Sequence, residues 1–326
     1  MNEAYIRKIP KVELHCHLDG SISLEMLRIL AGRPIEEASV KAPVPCTSLK
    51  QYLQCFSVVL PLLQTRDALI RAAYDVVRQA AEENVIYLEV RFAPAFHCRR
   101  GLSELEACQA VVQGLQKAEK DFGVMSRAIV CMMRGLSRDE NERTLQCAAA
   151  LREHGVAGLD LAGDEVPFPT RLYSELFDQA RDLHIPFTIH AGECGNAENV
   201  ADAVELGARR IGHGVAAAGN EGILSLCRER IICFEMCPVS NLQTKAVKDL
   251  REYPFLSMEK AGLAVSIHTD NRTVSDTSLT TEWMTLIDVF PEITEDTIRK
   301  ANLAAAQAAF LSEKEKTRLI QRLSTE

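Results

Sequence analysis

Eight short apolar segments recur along the 326-residue chain, and each ends near a polar residue or a glycine. Helical patterns separate most of them; Leu69, Ala73, Val76 and Ala80, for example, follow one another at spacings of three and four residues. Strands that alternate with helices form a parallel sheet, and eight such units predict a closed (β/α)8 TIM barrel of the α/β class. The predicted strands cover residues 12–18, 85–92, 126–133, 156–161, 186–190, 210–212, 231–236 and 264–268.

The connection between the first two predicted strands, residues 21–84, is unusually long and contains several prolines. We expect it to fold as several short helices. Long insertions at this position lie over the C-terminal mouth of a barrel, so we interpret this one as a helical lid. One helix in it presents Leu49, Tyr52, Leu53 and Phe56 on one face, which indicates either ordinary core packing or a hydrophobic gate over a flat ligand. Two extra helices are predicted at the C-terminal end.

Composition excludes several classes of function. The net charge is −8 with the two signs interleaved, whereas nucleic-acid binding needs clustered Lys and Arg. The sequence has no run of about 18 apolar residues, so a membrane span is not expected. The first residues do not have the pattern of a signal peptide. Because repeats and linkers are absent from the sequence, residues 1–326 are predicted to form a single domain.

Cysteine is abundant, but its eleven copies are scattered and odd in number. Most lie in apolar surroundings, as Cys131 does. We interpret them as buried reduced thiols of a cytoplasmic enzyme rather than as a disulfide framework.

Histidine pairs and carboxylates follow the predicted strands. Residues two apart on a strand point to the same face, so both imidazoles of His15-Cys16-His17 can converge on one ion. Further polar segments lie at C-terminal strand ends, where barrel enzymes have their active sites. These segments are Gly163-Asp164-Glu165, His190-Ala-Gly-Glu193, Gly212-His213-Gly214 and Thr269-Asp270-Asn271.

Zinc chemistry accounts for these residue types. Imidazole nitrogens and one carboxylate suit Zn²⁺ and leave a position for water, whose pKa the ion lowers to about 7. The fourth predicted strand, residues 156–161, has no lysine whose carbamate would bridge a second metal. One zinc ion is therefore predicted.

Taken in order, these motifs resemble the adenosine deaminases, which are metal-dependent barrel hydrolases of the amidohydrolase group. The resemblance extends from Val12 to about Phe310, nearly the whole chain. It is carried by Val12-Glu-Leu-His-Cys-His-Leu-Asp-Gly-Ser21, Tyr87-Leu-Glu-Val-Arg-Phe92, Leu159-Asp-Leu-Ala-Gly-Asp-Glu165, His190-Ala-Gly-Glu193, Gly212-His-Gly214, Phe234-Glu-Met-Cys-Pro-Val-Ser-Asn241 and Thr269-Asp270.

The resemblance also implies roles for individual residues. Glu193 would donate a proton to purine N1, and His213 would orient and help activate the zinc-bound water. The implied zinc ligands are His15, His17, His190 and Asp270. The implied substrate contacts are His17, Asp19 at the ribose, the backbone N–H of Gly163 at N3, and Asn271 at N7.

Two positions depart from the family pattern. Many members have a second Asp where this chain has Asn271, and the amide donates a hydrogen bond to an acceptor at any pH. His268 stands where Asn is expected. We interpret His268 as a hydrogen-bonding residue rather than an added metal ligand.

The implied activity is zinc-dependent deamination of adenosine, and of 2′-deoxyadenosine, to inosine and ammonia. One alternative is the same chemistry on another aminopurine, either adenine or aminodeoxyfutalosine. Asp19 favours a ribose-bearing substrate, since it would otherwise have no partner. The other alternative is a catalytically inactive zinc-binding barrel, against which the presence of Glu193 and His213 argues.

Four charged residues near the motifs have plainer interpretations. Arg91 and Arg134 are interpreted as salt-bridging residues that brace the barrel mouth. Asp164 and Glu165 are interpreted as loop residues or residues behind the site, and contact with the substrate is the less favoured alternative.

Overall fold

Eight parallel strands alternate with helices, as the sequence predicts. The computed structural model describes residues 1–46 and 48–325, and its strands fall on all eight predicted segments. The strands are β1 (Lys11–His17), β2 (Val85–Phe92), β3 (Met125–Met133), β4 (Val156–Ala162), β5 (Thr188–Ala191), β6 (Arg210–His213), β7 (Cys233–Met236) and β8 (Ala264–Ile267).

The strands pair in parallel as two four-stranded sheets, in the orders β1-β2-β3-β4 and β5-β6-β7-β8. Two isolated bridges join the sheets: Leu159 of β4 pairs with Phe187, and Cys16 of β1 pairs with Asp270 just after β8. These bridges close the sheets into the predicted (β/α)8 barrel.

Helices surround the strands and cover both ends of the barrel. They are α1 (Glu3–Lys8), α2 (Leu18–Ser21), α3 (Leu24–Ala31), α4 (Leu49–Leu53), α5 (Phe56–Val59), α6 (Arg66–Ala81), α7 (Glu104–Phe122), α8 (Arg138–Leu151), α9 (Ser174–Asp182), α10 (Glu198–Leu206), α11 (Glu221–Glu229), α12 (Pro238–Thr244), α13 (Phe255–Lys260), α14 (Leu279–Val289), α15 (Glu295–Ala308) and α16 (Glu313–Thr325). No helix in the described part of the chain is long and apolar enough to cross a membrane.

The long first connection folds as short helices followed by α6, as expected. It contacts the loop after β8 through Ala42, whose N–H donates to Val274 O at 2.7 Å, and through Tyr52, whose hydroxyl lies 2.7 Å from Ser275 Oγ. The insertion is therefore closed against the C-terminal mouth of the barrel. Its action as a lid, and the extent of the single domain, stay predictions.

The barrel interior carries charge where apolar layers are usual. Glu89, Arg91, Arg210 and Glu235 are each fully buried within it and form ion pairs with one another. They belong to the strands β2, β6 and β7. Alternation along a strand points them to one side, towards the barrel axis.

A residue with positive φ precedes each strand from β2 to β8, where the preceding helix or turn ends. Most of these residues are Gly or Asn, which adopt this conformation readily. The residues are Asn84, Gly123, Gly155, His184, Gly207, Ile231 and Gly262. Ile231 is the outlier, since a β-branched residue at φ 55° is strained and its side chain is 84% exposed.

Replacing Ile231 by Gly is therefore expected to stabilise the fold. Relief of left-handed strain corresponds to about 1 kcal/mol, so the melting temperature of Ile231→Gly should rise by about 2 °C. Gly262→Ala is the matched control and should lower the melting temperature, because φ at Gly262 is +80° and a Cβ is strained there. The new Cβ would meet no close neighbour, since the nearest atom is 3.8 Å away. A melting temperature that falls in Ile231→Gly would contradict the strain argument.

Candidate active site at the carboxyl ends of the strands

A cavity of about 360 Å³ opens at the C-terminal mouth, under α4 and α5. A larger cleft of about 1220 Å³ lies at the opposite end, between the barrel and the C-terminal helices. Because active sites of this fold lie at the carboxyl ends of the strands, we place the site in the smaller cavity. Its lining includes predicted site residues from five strand ends, namely His17, Asp19, Gly163, His190, Glu193, His213, Asp270 and Asn271.

Three histidines and one aspartate converge at the base of this cavity. His17 Nε2 lies 3.2 Å from His190 Nε2 and 3.4 Å from Asp270 Oδ1. His15 Nε2 lies 3.6 Å from the same Asp270 oxygen. Ligand atoms of His15, His17 and Asp270 are all within 4.8 Å of one another, and so are those of His15, His190 and His213. The described residues therefore include a group able to hold a metal ion.

Carboxylates behind the histidines set their orientation. His15 Nδ1 lies 2.9 Å from Glu235 Oε2, and His190 Nδ1 lies 2.9 Å from Asp160 Oδ2. With each Nδ1 occupied, each Nε2 faces the cluster. His15 Nε2 is buried and has no hydrogen-bond partner among the described residues. Burial also lowers the pKa of His15 to about 4, which keeps the ring neutral as a metal ligand requires.

Asp270 is held in a strained backbone conformation, with φ 59°. Its N–H donates to His15 O and its carbonyl accepts from His17 N, so the loop after β8 is fastened to β1. Ser240 Oγ lies 2.5 Å from Oδ2. That bond leaves Oδ1 directed at the histidines.

Glu193 and His213 face each other across the cavity, with 3.7 Å between Glu193 Oε2 and His213 Nε2. The Asn241 side-chain N–H donates to His213 Nδ1 at 3.0 Å. The Tyr253 hydroxyl donates to Asn241 Oδ1, and this bond fixes which end of the Asn241 amide faces His213. The neutral His213 ring therefore carries its proton on Nε2. Burial raises the pKa of Glu193, which favours its protonated form.

The remaining predicted contacts lie around the same cavity. Asp19 is 9% exposed, and burial raises its pKa to about 6. Gly163 has φ +102°, a conformation that glycine adopts without strain. Asn271 is buried, and its Oδ1 has no hydrogen-bond partner among the described residues. Gly20 is required beside it, since a Cβ there would lie 1.7 Å from that oxygen.

The strands also supply a buried charge network that the motif analysis missed in part. Arg91 Nη1 donates to Asp160 at 2.9 Å and Arg91 Nη2 donates to Glu235 at 2.7 Å. Arg210 Nε forms an ion pair with Glu235 Oε1 at 2.6 Å, and Arg210 Nη2 donates to Glu89 at 2.5 Å. Period-two polar residues in strands expected to be buried are the sequence signal that would have found it.

The salt-bridge interpretation fits Arg91 and is wrong for Arg134. Arg134 donates to the carbonyl oxygens of Phe168 and His190, at 2.6 and 2.7 Å, and to Thr170 Oγ1 at 3.0 Å. Carbonyl groups at strand ends need donors where neighbouring strands separate, and a guanidinium provides several.

His268 lies behind the site and is fully buried. Its Nε2 is 2.7 Å from Ser266 Oγ, and its Nδ1 accepts from Leu14 N at 3.1 Å and lies 3.0 Å from Glu13 Oε1. Glu13 in turn accepts from the Thr269 hydroxyl. Among the described residues, the groups able to hold a metal do not include His268. These contacts agree with its interpretation as a hydrogen-bonding residue.

Arg91 is expected to be essential for stability. Arg91→Met leaves the buried carboxylate of Asp160 without its arginine partner and leaves Glu235 with Arg210 alone, which costs about 3–5 kcal/mol of unfolding free energy. Urea denaturation measures the loss. The control is Arg138→Met, because Arg138 pairs with Glu142 on an exposed helix face and should change stability by less than about 1 kcal/mol. Equal losses in both variants would contradict the role of Arg91.

Comparison with known proteins places this site in context. The family model described as Adenosine deaminase matches residues 10–326. The adenosine deaminase of Enterococcus faecalis (strain ATCC 700802 / V583) is 48% identical, over 99% of this chain and 98% of the relative.

Solved structures share the fold. An adenine deaminase from Arthrobacter aurescens superposes with a TM-score of 0.88 at 24% identity, covering 97% of this chain and 98% of its own. A cog1816 amidohydrolase from Burkhoderia ambifaria, solved with bound Zn, has a TM-score of 0.86 at 26% identity and covers 99% of this chain and 95% of its own.

Proposed function

Because the chain belongs to the adenosine deaminase family, we propose that it hydrolyses adenosine, and 2′-deoxyadenosine, to the corresponding inosine and ammonia. The observation that carries this proposal is the convergence of a carboxyl group able to donate a proton, Glu193, and a neutral imidazole, His213, on the same cavity as a cluster of metal-binding side chains. An inactive binding protein would need only the cluster.

One Zn²⁺ ion, held by His15, His17, His190 and Asp270, is the cofactor of this proposal. The donor set fits: it consists of imidazole nitrogens and one carboxylate, and it includes the buried, unpartnered Nε2 of His15. When bound, zinc supplies a nucleophilic water at neutral pH. The Zn-bound amidohydrolase with the same fold supports this assignment.

The two polar groups above the cluster have complementary tasks in the proposed reaction. Water adds to C6 of the purine, and the electron pair of the C6–N1 double bond moves to N1. Glu193, whose pKa is raised by burial, donates a proton to N1. His213 positions the attacking water through its Nε2. Of the two protons of the added water, one moves to the 6-amino group, which leaves as ammonia, and the other returns to the Glu193 carboxylate as the C6 carbonyl forms.

Three residues orient the purine nucleoside in this proposal. The backbone N–H of Gly163 donates to N3 and the amide of Asn271 donates to N7. The Asp19 carboxylate accepts a hydrogen bond from the ribose 5′-hydroxyl. A carboxylate at that position repels a 5′-phosphate, so the proposed substrate is a nucleoside rather than a nucleotide.

The direct test is a mass-spectrometric competition between equal concentrations of adenosine, adenine and aminodeoxyfutalosine with zinc-loaded protein. Inosine as the first product supports the proposal. Preferential conversion of adenine would contradict any ribose contact of Asp19, and preferential conversion of aminodeoxyfutalosine would contradict its contact with a 5′-hydroxyl; both results would leave the deaminase chemistry in place. A protein that binds zinc and converts none of the three would refute the proposed activity.

Glu193→Gln is expected to bind zinc and adenosine but to lose turnover by about 10²–10⁴-fold, since an amide cannot transfer the proton. Metal content, the adenosine dissociation constant and kcat measure the three properties. The control is Glu198→Gln, an exposed position at the start of α10, which should keep wild-type kcat. Near-normal turnover of Glu193→Gln would exclude Glu193 as the proton donor.

Asp19→Ala is expected to lower kcat/KM for adenosine at least tenfold, because a buried hydrogen bond to the ribose is lost. Adenine has no ribose, so its residual conversion is the internal control and should change little. Equal losses on both purines would show that Asp19 does not read the ribose.

We also propose a cytoplasmic location. All eleven cysteines are free thiols, and those at nine positions are buried. Unpaired thiols in this number are typical of a reducing compartment.

A further inference from the structure

The loop that carries Glu193 follows β5 and runs from Gly192 to Gly195. Gly192 and Gly195 adopt φ +69° and +85°, so the chain turns sharply on both sides of Glu193. Among the described residues, none donates a hydrogen bond to the Glu193 carboxyl itself. The position of that carboxyl is therefore set by the backbone of its own loop.

One carboxylate from another strand end holds that backbone. Glu165, in the loop after β4, accepts from Gly192 N at 2.9 Å with Oε2 and from Cys194 N at 2.7 Å with Oε1. These are the two N–H groups on either side of Glu193. Both bonds are charge-assisted and short.

Glu165 is suited to support the loop and not to contact a ligand. It is 3% exposed, and each of its oxygens already accepts a hydrogen bond. The neighbouring Asp164 is exposed and lines the cavity. The two adjacent carboxylates therefore point to different surroundings.

The opposite side of the loop is fixed by the next strand end. Gly214 N donates to Ala191 O at 3.1 Å, and Ala216 N donates to Gly192 O at 3.0 Å. Loops after β4 and β6 thus hold the loop after β5 from both sides. Of these contacts, only that of Glu165 comes from a side chain and can be removed without changing the backbone.

We propose that Glu165 is a positioning residue that aligns Glu193 for proton transfer by binding the two backbone N–H groups that flank it. This inference rests on the proposed function. A displacement of about 1 Å at a reacting group lowers rates by about 100-fold, so the bonds of Glu165 act on turnover more than on binding.

The test compares Glu165→Gln and Glu165→Asp with the wild-type holoenzyme. Gln has one acceptor oxygen, and Asp is too short to reach both N–H groups. Each variant should lower kcat for adenosine by about 10–100-fold, while KM changes less than about threefold and zinc content is unchanged. The Asp variant retains the charge, so a loss in both assigns the effect to geometry.

Glu104→Gln is the matched control for the loss of a nearly buried carboxylate. Glu104 is 8% exposed and accepts from Arg143 and Thr144, at 2.9 and 3.1 Å. Glu104→Gln should keep wild-type kcat although it also alters a nearly buried, hydrogen-bonded carboxylate. The proposal is overturned if both Glu165 variants keep kcat within about threefold of wild type, if KM rises as much as kcat falls, or if Glu104→Gln loses turnover equally.

Failure of the proposed function gives a different result. If the wild type converts adenine or a modified adenosine instead, the substrate assignment is wrong and the same comparison is made with that substrate. If the wild type converts no aminopurine, both the activity and the role of Glu165 are refuted.

Discussion

The ion pairs of Arg91 with Asp160 and Glu235 are the interaction on which the site depends most. Each carboxylate contacts Arg91 on one side and a histidine of the metal-binding cluster on the other, His190 for Asp160 and His15 for Glu235. Both carboxylates are fully buried and need cationic partners, which Arg91 supplies to Asp160 and shares with Arg210 for Glu235. One arginine thus allows two histidines to be oriented from behind.

The same charges connect the two halves of the barrel. Strand pairing within each half is continuous, whereas the halves are joined by two isolated bridges among the described residues. Arg91 of β2 reaches Glu235 of β7, and Arg210 of β6 reaches Glu89 of β2. Ion pairs across the axis therefore add to the few backbone bonds at the junctions. The polar interior serves both the fold and the site.

At the mouth, precision comes from contacts between successive loops. Asp270 and His213 both have positive φ, which costs free energy and persists only where neighbours hold it. For Asp270 those neighbours are the backbone of β1 and Ser240. For His213 the neighbour is Asn241, which also selects the tautomer. Each residue near the chemistry is thus placed by a residue from a different strand end.

Much of this was predictable from the order of residues. Apolar runs with a period of two or with continuous hydrophobicity located all eight strands, because burial on both faces leaves a local signature. Polar residues at strand ends located the members of the cavity, because parallel strands bring their carboxyl ends to one rim. The contacts of Arg134 were predicted wrongly, since its partners are backbone carbonyls that no side-chain pattern reveals.

The sequence by itself therefore determined the architecture and the identity of the residues around the cavity, since periodicity and strand-end position are local properties of the chain. Only the tertiary structure decided how they are supported. Glu165 meets the loop of Glu193, and Arg91 meets Glu235 across the barrel, over separations of 27 and 144 residues. Such pairings depend on which strands become neighbours and on the direction of each side chain, and neither is encoded in a local pattern.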